Sequence, residues 1–285
     1  MLRYGYVSNG FADHSFEQML QVLGHSGYQG VGITLDHHPL DPKNLTPARC
    51  REVRRQLEAA GLEPVIETGA RYYLDAFRKH RPSLVSIDPE GRRLRVQYYE
   101  RALEVAESLG ARVVSLWSGA AQPGTASAAC WDRLQQTLPT LLDRAHRAGI
   151  TLAFEPEPGM FVENLSHYRE LRERLPHPAL RLTVDLGHLE CSEPPPLDEE
   201  LIRVVADVVN VHVDDIRGGR HEHLPLGQGT IDFPPLLRVL RDAAYRGLCL
   251  VELPRHSHEA PLQAQRSIVF LRNAETIAAT HDGRG

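Results

Sequence analysis

The feature that most constrains this chain is a rhythm. Eight short apolar runs alternate with segments of helical pattern from one end to the other. The runs are Leu2–Val7, Gly30–Leu35, Pro64–Glu67, Ala111–Leu116, Thr151–Glu155, Leu180–Asp185, Val208–Val213 and Leu248–Glu252. Each is near-continuously hydrophobic, as expected of parallel strands covered on both faces. Between them the helical segments carry start and stop signals. Ser15 and Gln18 have the spacing of a capping box before Leu20, Val22, Leu23 and Gly24. Thr46-Pro47 supplies an N-cap and a proline at the first helical position, ahead of Val53 and Leu57. Further helices are predicted over Val96–Leu109, Trp131–Ala148, Tyr168–Leu175, Glu199–Val205, Pro234–Arg246 and His258–Ala279. Gly61, Gly110, Gly149 and Gly247 each precede a strand, where a helix C-cap belongs.

One strand–helix unit per about 36 residues suits a single-domain (β/α)8 barrel, expected over residues 1–280, with 281–285 as a flexible tail. A doubly wound open sheet is the rival, but no strand is followed by the glycine fingerprint of a dinucleotide fold. The Pro194–Pro196 run reads as a stiff loop after a strand. The 19-residue uncharged run from Val113 to Trp131 holds eight Ser, Gly, Gln, Pro or Thr residues, so it reads as a strand and loop, not a membrane span.

Charge and cysteine usage exclude several functions. The formal net charge of −5 argues against a nucleic-acid partner or a polybasic membrane anchor. Only Lys43 and Lys79 are lysines, and both fall outside the strands, which removes a Schiff-base aldolase. The four cysteines are scattered, as suits free thiols in a reducing cytoplasm. The amino-terminal MLRYGYVSNGF has no apolar core of the signal-peptide kind.

The chemistry collects at the ends of the last four strands. LAFE ends at Glu155, LTVD at Asp185 with His188 three residues on, NVHVDD carries His212 and Asp215, and LVE ends at Glu252. In a barrel the carboxyl ends of the strands converge on one face. A lone carboxylate there would be a helix cap and a lone histidine a hydrogen-bonder, but four consecutive strands ending this way are harder to dismiss. Carboxylates brought together repel unless protons or a cation compensate. One divalent metal is the economical answer. An oxygen-rich set with one imidazole favours Mn²⁺ or Mg²⁺, with Co²⁺ and Zn²⁺ as alternatives.

Taken together, Glu155, Asp185-x-x-His188, His212-x-x-Asp215 and Glu252, with LGQGTIDF before the last, resemble the sugar phosphate isomerase/epimerase family, the xylose isomerase-like TIM barrels. The likeness is clearest from Gly149 to Pro254 and points to the ketose 3-epimerase and inosose dehydratase branches. It implies that Glu155, Asp185, His212 and Glu252 bind one divalent ion, Mn²⁺ foremost, and that His188 and Arg217 hold substrate oxygens. Glu155 and Glu252 would then act as acid and base on either side of a substrate carbon next to a carbonyl. The substrate expected is a sugar, sugar phosphate or inosose, with a homo-oligomer left open.

Relatives often carry another carboxylate soon after the fifth strand, and here EPEPGMFVEN offers Glu157 or Glu163. Trp117 after strand four has two readings, packing a sugar face or capping the core. Glu67 after strand three joins the substrate-facing set or pairs with Arg71. His221, His223, His256 and His258 read as solvated loop histidines. The alternatives are an inosose-type dehydratase on the same site, an endonuclease IV-like phosphodiesterase and a non-catalytic metabolite-binding barrel. The phosphodiesterase needs histidines after strands two to four for a three-zinc cluster, and strands three and four end IETG and SLWSG.

Overall fold

The computed structural model describes residues 1–280. The expected tail, 281–285, lies outside the described residues. Eight parallel strands close into a barrel: β1 (Arg3–Val7), β2 (Gly30–Thr34), β3 (Glu63–Glu67), β4 (Val113–Leu116), β5 (Thr151–Phe154), β6 (Leu180–Asp185), β7 (Val208–Val213) and β10 (Leu248–Val251). Two further strands, β8 (Asp215–Arg217) and β9 (Arg220–Leu224), form an antiparallel hairpin of their own. The helices are α1 (Phe16–Ser26), α2 (Pro47–Ala60), α3 (Pro89–Leu109), α4 (Ser127–Arg147), α5 (Leu165–Arg174), α6 (Leu186–Ser192), α7 (Leu197–Ile202), α8 (Phe233–Asp242) and α9 (Ala260–Thr280). None is long and apolar enough to cross a membrane. The described residues pack as two compact units, residues 1–32 with 56–63 and 183–280, and residues 33–55 with 64–182.

In the first unit β1 pairs with β10 and with β2, and β10 pairs with β7, where Leu250 faces His212 across the ladder. The close β1–β2 approach explains Gly5, since a Cβ there would stand 2.7 Å from the Gly30 carbonyl oxygen. Glu275 of α9 ties β1 down, accepting from Leu2 N at 2.8 Å and Tyr4 Oη at 3.1 Å. The Ser15/Gln18 capping box forms, but α1 runs past Gly24 and ends at Gly27, whose φ is 79°. Gly247 is not a left-handed cap. Ala244, at φ 52°, takes that turn after α8, and Gly247 is needed because a Cβ would stand 2.5 Å from the Val209 carbonyl oxygen. The Pro194–Pro196 run separates α6 from α7, because α6 starts directly after β6.

In the second unit β4 pairs with β3 and β5, and β5 with the first half of β6. α3 starts seven residues before the expected Val96, at Pro89, with the Asp88 side chain accepting from Glu90 N and Gly91 N. Arg95 of α3 is fully buried. It donates to the carbonyls of Pro82 at 2.7 Å and His80 at 3.2 Å, and its guanidinium lies over the Trp117 ring at 5.0 Å.

His80 packs edge-on against Trp117, with Nδ1 3.0 Å from the Gly69 oxygen. Burial, opposed by that hydrogen bond, lowers this imidazole to about 4. An unfolded histidine takes its proton near pH 6.5, so the folded state loses stability as pH falls from about 6.5 to about 4. His80→Asn, which tolerates the φ of 64°, should therefore show a smaller loss over that window in urea unfolding. An unchanged loss would remove His80 from the pH dependence.

Candidate metal centre

Three of the four expected ligands meet in the first unit. Asp185 ends β6 and caps α6, its Oδ1 accepting from Gly187 N at 2.7 Å and His188 N at 3.0 Å. Its other oxygen, Oδ2, is buried and has no hydrogen-bond partner. Leaving a carboxylate oxygen so placed is costly unless something cationic faces it. His212, 2% exposed on β7, holds Nδ1 3.1 Å from Glu252 Oε2. Asn210 stands behind the same ring, Nδ2 to Nε2 at 3.2 Å, and fixes its orientation. Glu252 extends β10 by one residue, its N–H donating to Val213 O at 3.0 Å, and Asn9 Nδ2 donates to Glu252 Oε1 at 2.7 Å. An orphaned buried carboxylate oxygen, a second carboxylate and an imidazole fit a divalent cation.

The electrostatics agree. Burial alone would raise Glu252, yet the charge of and hydrogen bond from His212, then His223 and Asn9, hold it well below the usual carboxylate range. Asp185 is likewise lowered against its burial, chiefly by the His188 charge and then by His223 and His212. The carboxylates are thus ionised and rely on positive charge around them.

The fourth expected ligand, Glu155, is buried in the second unit directly after β5, its N–H donating to Leu116 O at 2.8 Å. Also in that unit, Trp117 is buried against His80 and Arg95, and Glu67 is buried at the end of β3. Arg71 pairs with Asp36, Nε to Oδ2 at 3.1 Å. Glu157 N donates to Val162 O at 3.2 Å, and Glu163 follows within the same loop.

His188 is buried in the first turn of α6, Nε2 3.7 Å from Asp185 Oδ2. Arg217, at the end of β8, is exposed and its guanidinium donates to the Gln228 carbonyl.

Two histidines expected in solvent are not there. His221 and His223 are half-buried on β9, with His221 Nε2 3.1 Å from His188 Nε2 and 2.8 Å from His223 Nε2. Behind them stands a residue the sequence reading passed over. Asp214 is 0% exposed, with Oδ2 2.6 Å from His223 Nδ1. Burial lowers His221 to about 3, helped by the charges of His188 and His223. Burial also works against His223, but the hydrogen bond and charge of Asp214 outweigh it and push the ring up to about 10. A Cβ on Gly187 would lie 2.0 Å from Asp214 Oδ1, so only glycine fits beside that carboxylate. The signal was present: His221 and His223 alternate as residues on one strand face do. His256 and His258 stack on each other, centroids 6.3 Å apart.

Asp215, part of the motif His212-x-x-Asp215, has a different job. Its carboxylate accepts from the backbone N–H groups of Ile216, Gly227, Gly229 and Ile231, at 2.8–3.2 Å. It pins the LGQGTID segment against the hairpin. A Cβ on Gly229 would come within 2.1 Å of Asp215 Oδ1, which explains the second glycine of GQG.

A closed parallel barrel with a carboxylate–imidazole cluster at its strand ends defines a TIM-barrel protein with a candidate metal site. The chain belongs to the xylose isomerase-like TIM barrel family, whose model matches residues 20–274. It is similar to the L-ribulose-5-phosphate 3-epimerase UlaE of Shigella flexneri serotype 5b (strain 8401), 27% identical over 198 residues covering 69% of each chain. The UlaE of Salmonella typhi is 27% identical over 208 residues, 73% of each chain. Among solved structures, a D-tagatose 3-epimerase-like protein superposes with TM-score 0.80 at 19% identity, covering 99% of this chain and 100% of its own. The IOLI protein, solved with a bound zinc atom, gives TM-score 0.79 at 15% identity, over 97% of this chain and 99% of its own. These structural likenesses establish the fold, and the curated relatives are sugar epimerases, enzymes of the isomerase class.

Asp215→Ala would strand several backbone N–H groups, each costing about 1–3 kcal/mol where buried. Urea unfolding should show a loss of roughly 2–5 kcal/mol. A loss under about 0.5 kcal/mol, the scale of an ordinary surface change, would contradict this role.

Proposed function

We propose that the protein is a divalent-metal-dependent sugar or sugar-phosphate isomerase/epimerase that moves a proton at a carbon next to a carbonyl. The observation that carries this is the charge-poised set Asp185, His212 and Glu252, with Asp185 Oδ2 buried and unbonded. We take Glu155 as the fourth ligand. What supports it is its place directly after β5, where the resemblance to the family puts a ligand. Three carboxylates and one imidazole are a hard donor set, so Mn²⁺ is the proposed ion, ahead of Mg²⁺, Co²⁺ and Zn²⁺. When bound, the ion supplies Lewis-acid stabilisation of the negative charge that builds on two adjacent substrate oxygens.

The rest falls to the chain's own groups. Glu155 and Glu252 are the acid–base pair. One takes the proton from the substrate carbon, leaving an enediolate, and the other returns a proton. Asn9 holds one Glu252 oxygen by its amide and His212 contacts the other, which keeps the carboxylate oriented and ionised. His188 and Arg217 hold substrate oxygens, while Trp117 and Glu67 face the sugar. The curated relatives, named as acting on L-ribulose 5-phosphate, support a ketose or ketose phosphate as substrate. The four cysteines are all free, in keeping with a cytoplasmic enzyme. A small-molecule substrate, with no nucleic acid or membrane partner, completes the reading.

Turnover of a ketose panel in D₂O should place deuterium at the reacting carbon. Glu155→Gln and Glu252→Gln should each lower turnover by about two orders of magnitude, the common scale of acid–base contributions. Full-rate product without deuterium would point to a hydride shift, and no turnover of any sugar would overturn the reading. Metal removal gives a separate check. Chelation should lower the melting temperature, since an ion bound only to the folded state stabilises it. Asp185→Asn should lower bound metal, and unchanged metal content would remove Asp185 from the ligand set.

A further inference from the structure

One buried charge in the second unit has no part in the metal set. Arg95 of α3 is fully buried and, among the described residues, no carboxylate forms an ion pair with it. A lone guanidinium is expensive to bury, and an apolar side chain of similar volume in place of a buried charge is often neutral or stabilising. Fold stability alone does not account for an arginine here.

Its surroundings show a different task. Nε donates to Pro82 O at 2.7 Å and Nη2 to His80 O at 3.2 Å. The same guanidinium lies over Trp117 at 5.0 Å, Tyr98 at 5.5 Å and Tyr99 at 5.6 Å, all inside the roughly 6 Å reach of a cation–π contact. Tyr99 Oη donates in turn to Trp117 O at 3.3 Å. Arg95 therefore joins the loop after β3 to the residue that directly follows β4. Only arginine offers a planar fork for two carbonyls and a flat face for rings at once.

The loop so clamped runs from Thr68 to Asp88 without helix or strand, a length typical of binding loops. Within it Ala70 and His80 hold left-handed φ of 46° and 64°, at a cost for residues that carry a Cβ. Such strain persists where the surroundings over-determine it. Here Arg95 holds the His80 carbonyl, and His80 Nδ1 lies 3.0 Å from Gly69 O. The His80 ring stands perpendicular to Trp117, centroids 5.0 Å apart. Two residues beyond the indole, a Cβ on Gly119 would lie 2.1 Å from the Cβ of Ser83, so the two loops touch there as well.

We propose that Arg95 is a positioning residue for sugar recognition, fixing the Trp117 indole and the loop after β3 in the one arrangement that accepts the sugar. This rests on the reading above, in which Trp117 faces the sugar. A ring already held in place binds without a further ordering cost. Glu155 is fixed by its own backbone, its N–H donating to Leu116 O at 2.8 Å where β5 pairs with β4. Loss of Arg95 therefore weakens sugar binding and leaves proton transfer in place.

The test uses the full chain carrying Trp131→Phe, which leaves Trp117 as the sole tryptophan. L-ribulose 5-phosphate and D-tagatose are the probes. Arg95→Met keeps the side-chain volume and packs well on aromatic rings, so its circular dichroism melt should match the parent's. KM should rise at least about 10-fold, the worth of one well-placed contact, while kcat changes less than about threefold. Sugar should quench Trp117 emission in the parent, with a midpoint that Arg95→Met shifts by the same factor. Arg95→Lys, which keeps the charge and loses the fork, should fall between the two. If Arg95→Met melts too low to assay, Arg95→Lys decides: a raised KM is expected and the parent's KM would overturn the proposal. A KM and quenching midpoint unchanged in Arg95→Met, with or without a lowered melt, would overturn it, as would a loss confined to kcat. Trp117 quenching that Arg95→Met weakens, without turnover, would overturn the epimerase reading and keep this one. Turnover without any Trp117 response would do the reverse, and neither turnover nor quenching would overturn both.

Discussion

The structure turns on buried negative charge that the protein does not neutralise with lysine or arginine. Asp185 is 1% exposed and Glu252 is close by, yet the groups facing them are imidazoles, while burial and the Asp185 charge raise the neighbouring Asp214 well above the usual carboxylate range. Two like unit charges 4 Å apart repel by about 4 kcal/mol at the effective dielectric of a protein site. Histidine relieves this only while it is protonated, whereas a divalent ion relieves it at any pH where the carboxylates are ionised. Asp185 Oδ2, buried without a hydrogen-bond partner, is where that charge is least compensated.

The scaffold holds this unfavourable arrangement because each group is fixed by backbone. Asp185 is anchored by two N–H groups of the helix it caps. His212 and Glu252 are fixed by the β7–β10 ladder, whose hydrogen bonding continues through Glu252 N. Asp215 spends its carboxylate on β8 and on the loop after the hairpin that carries His221 and His223. Side chains locked by backbone in this way can be packed together without rearranging when ion or substrate arrives.

The strands were legible because buried parallel strands are written as plain apolar runs, and all eight fall within a few residues of the expected bounds. The ends of the last four strands were legible for the same reason, since a charged residue closing an apolar run stands out. Other parts were not. α3 begins at Asp88-Pro89, ahead of any helical periodicity, so only its cap could have marked it. The β8–β9 hairpin is half-exposed and charged, and RGGRHEH reads as loop until the two left-handed glycines are seen as its turn. Asp214 and Asp215 are adjacent in sequence and opposite in role, one behind His223 and the other under a loop. Spacing cannot tell them apart, because successive strand residues point to opposite sides.

The central claim, that these strand ends hold a divalent ion, is tested most directly by diffraction from crystals soaked in Mn²⁺, using anomalous scattering to locate the metal. The account expects one manganese with Glu155, Asp185, His212 and Glu252 oxygens and nitrogen at about 2.0–2.3 Å, the range of such bonds. No manganese there, with Asp185 Oδ2 contacting a protein donor instead, would contradict it.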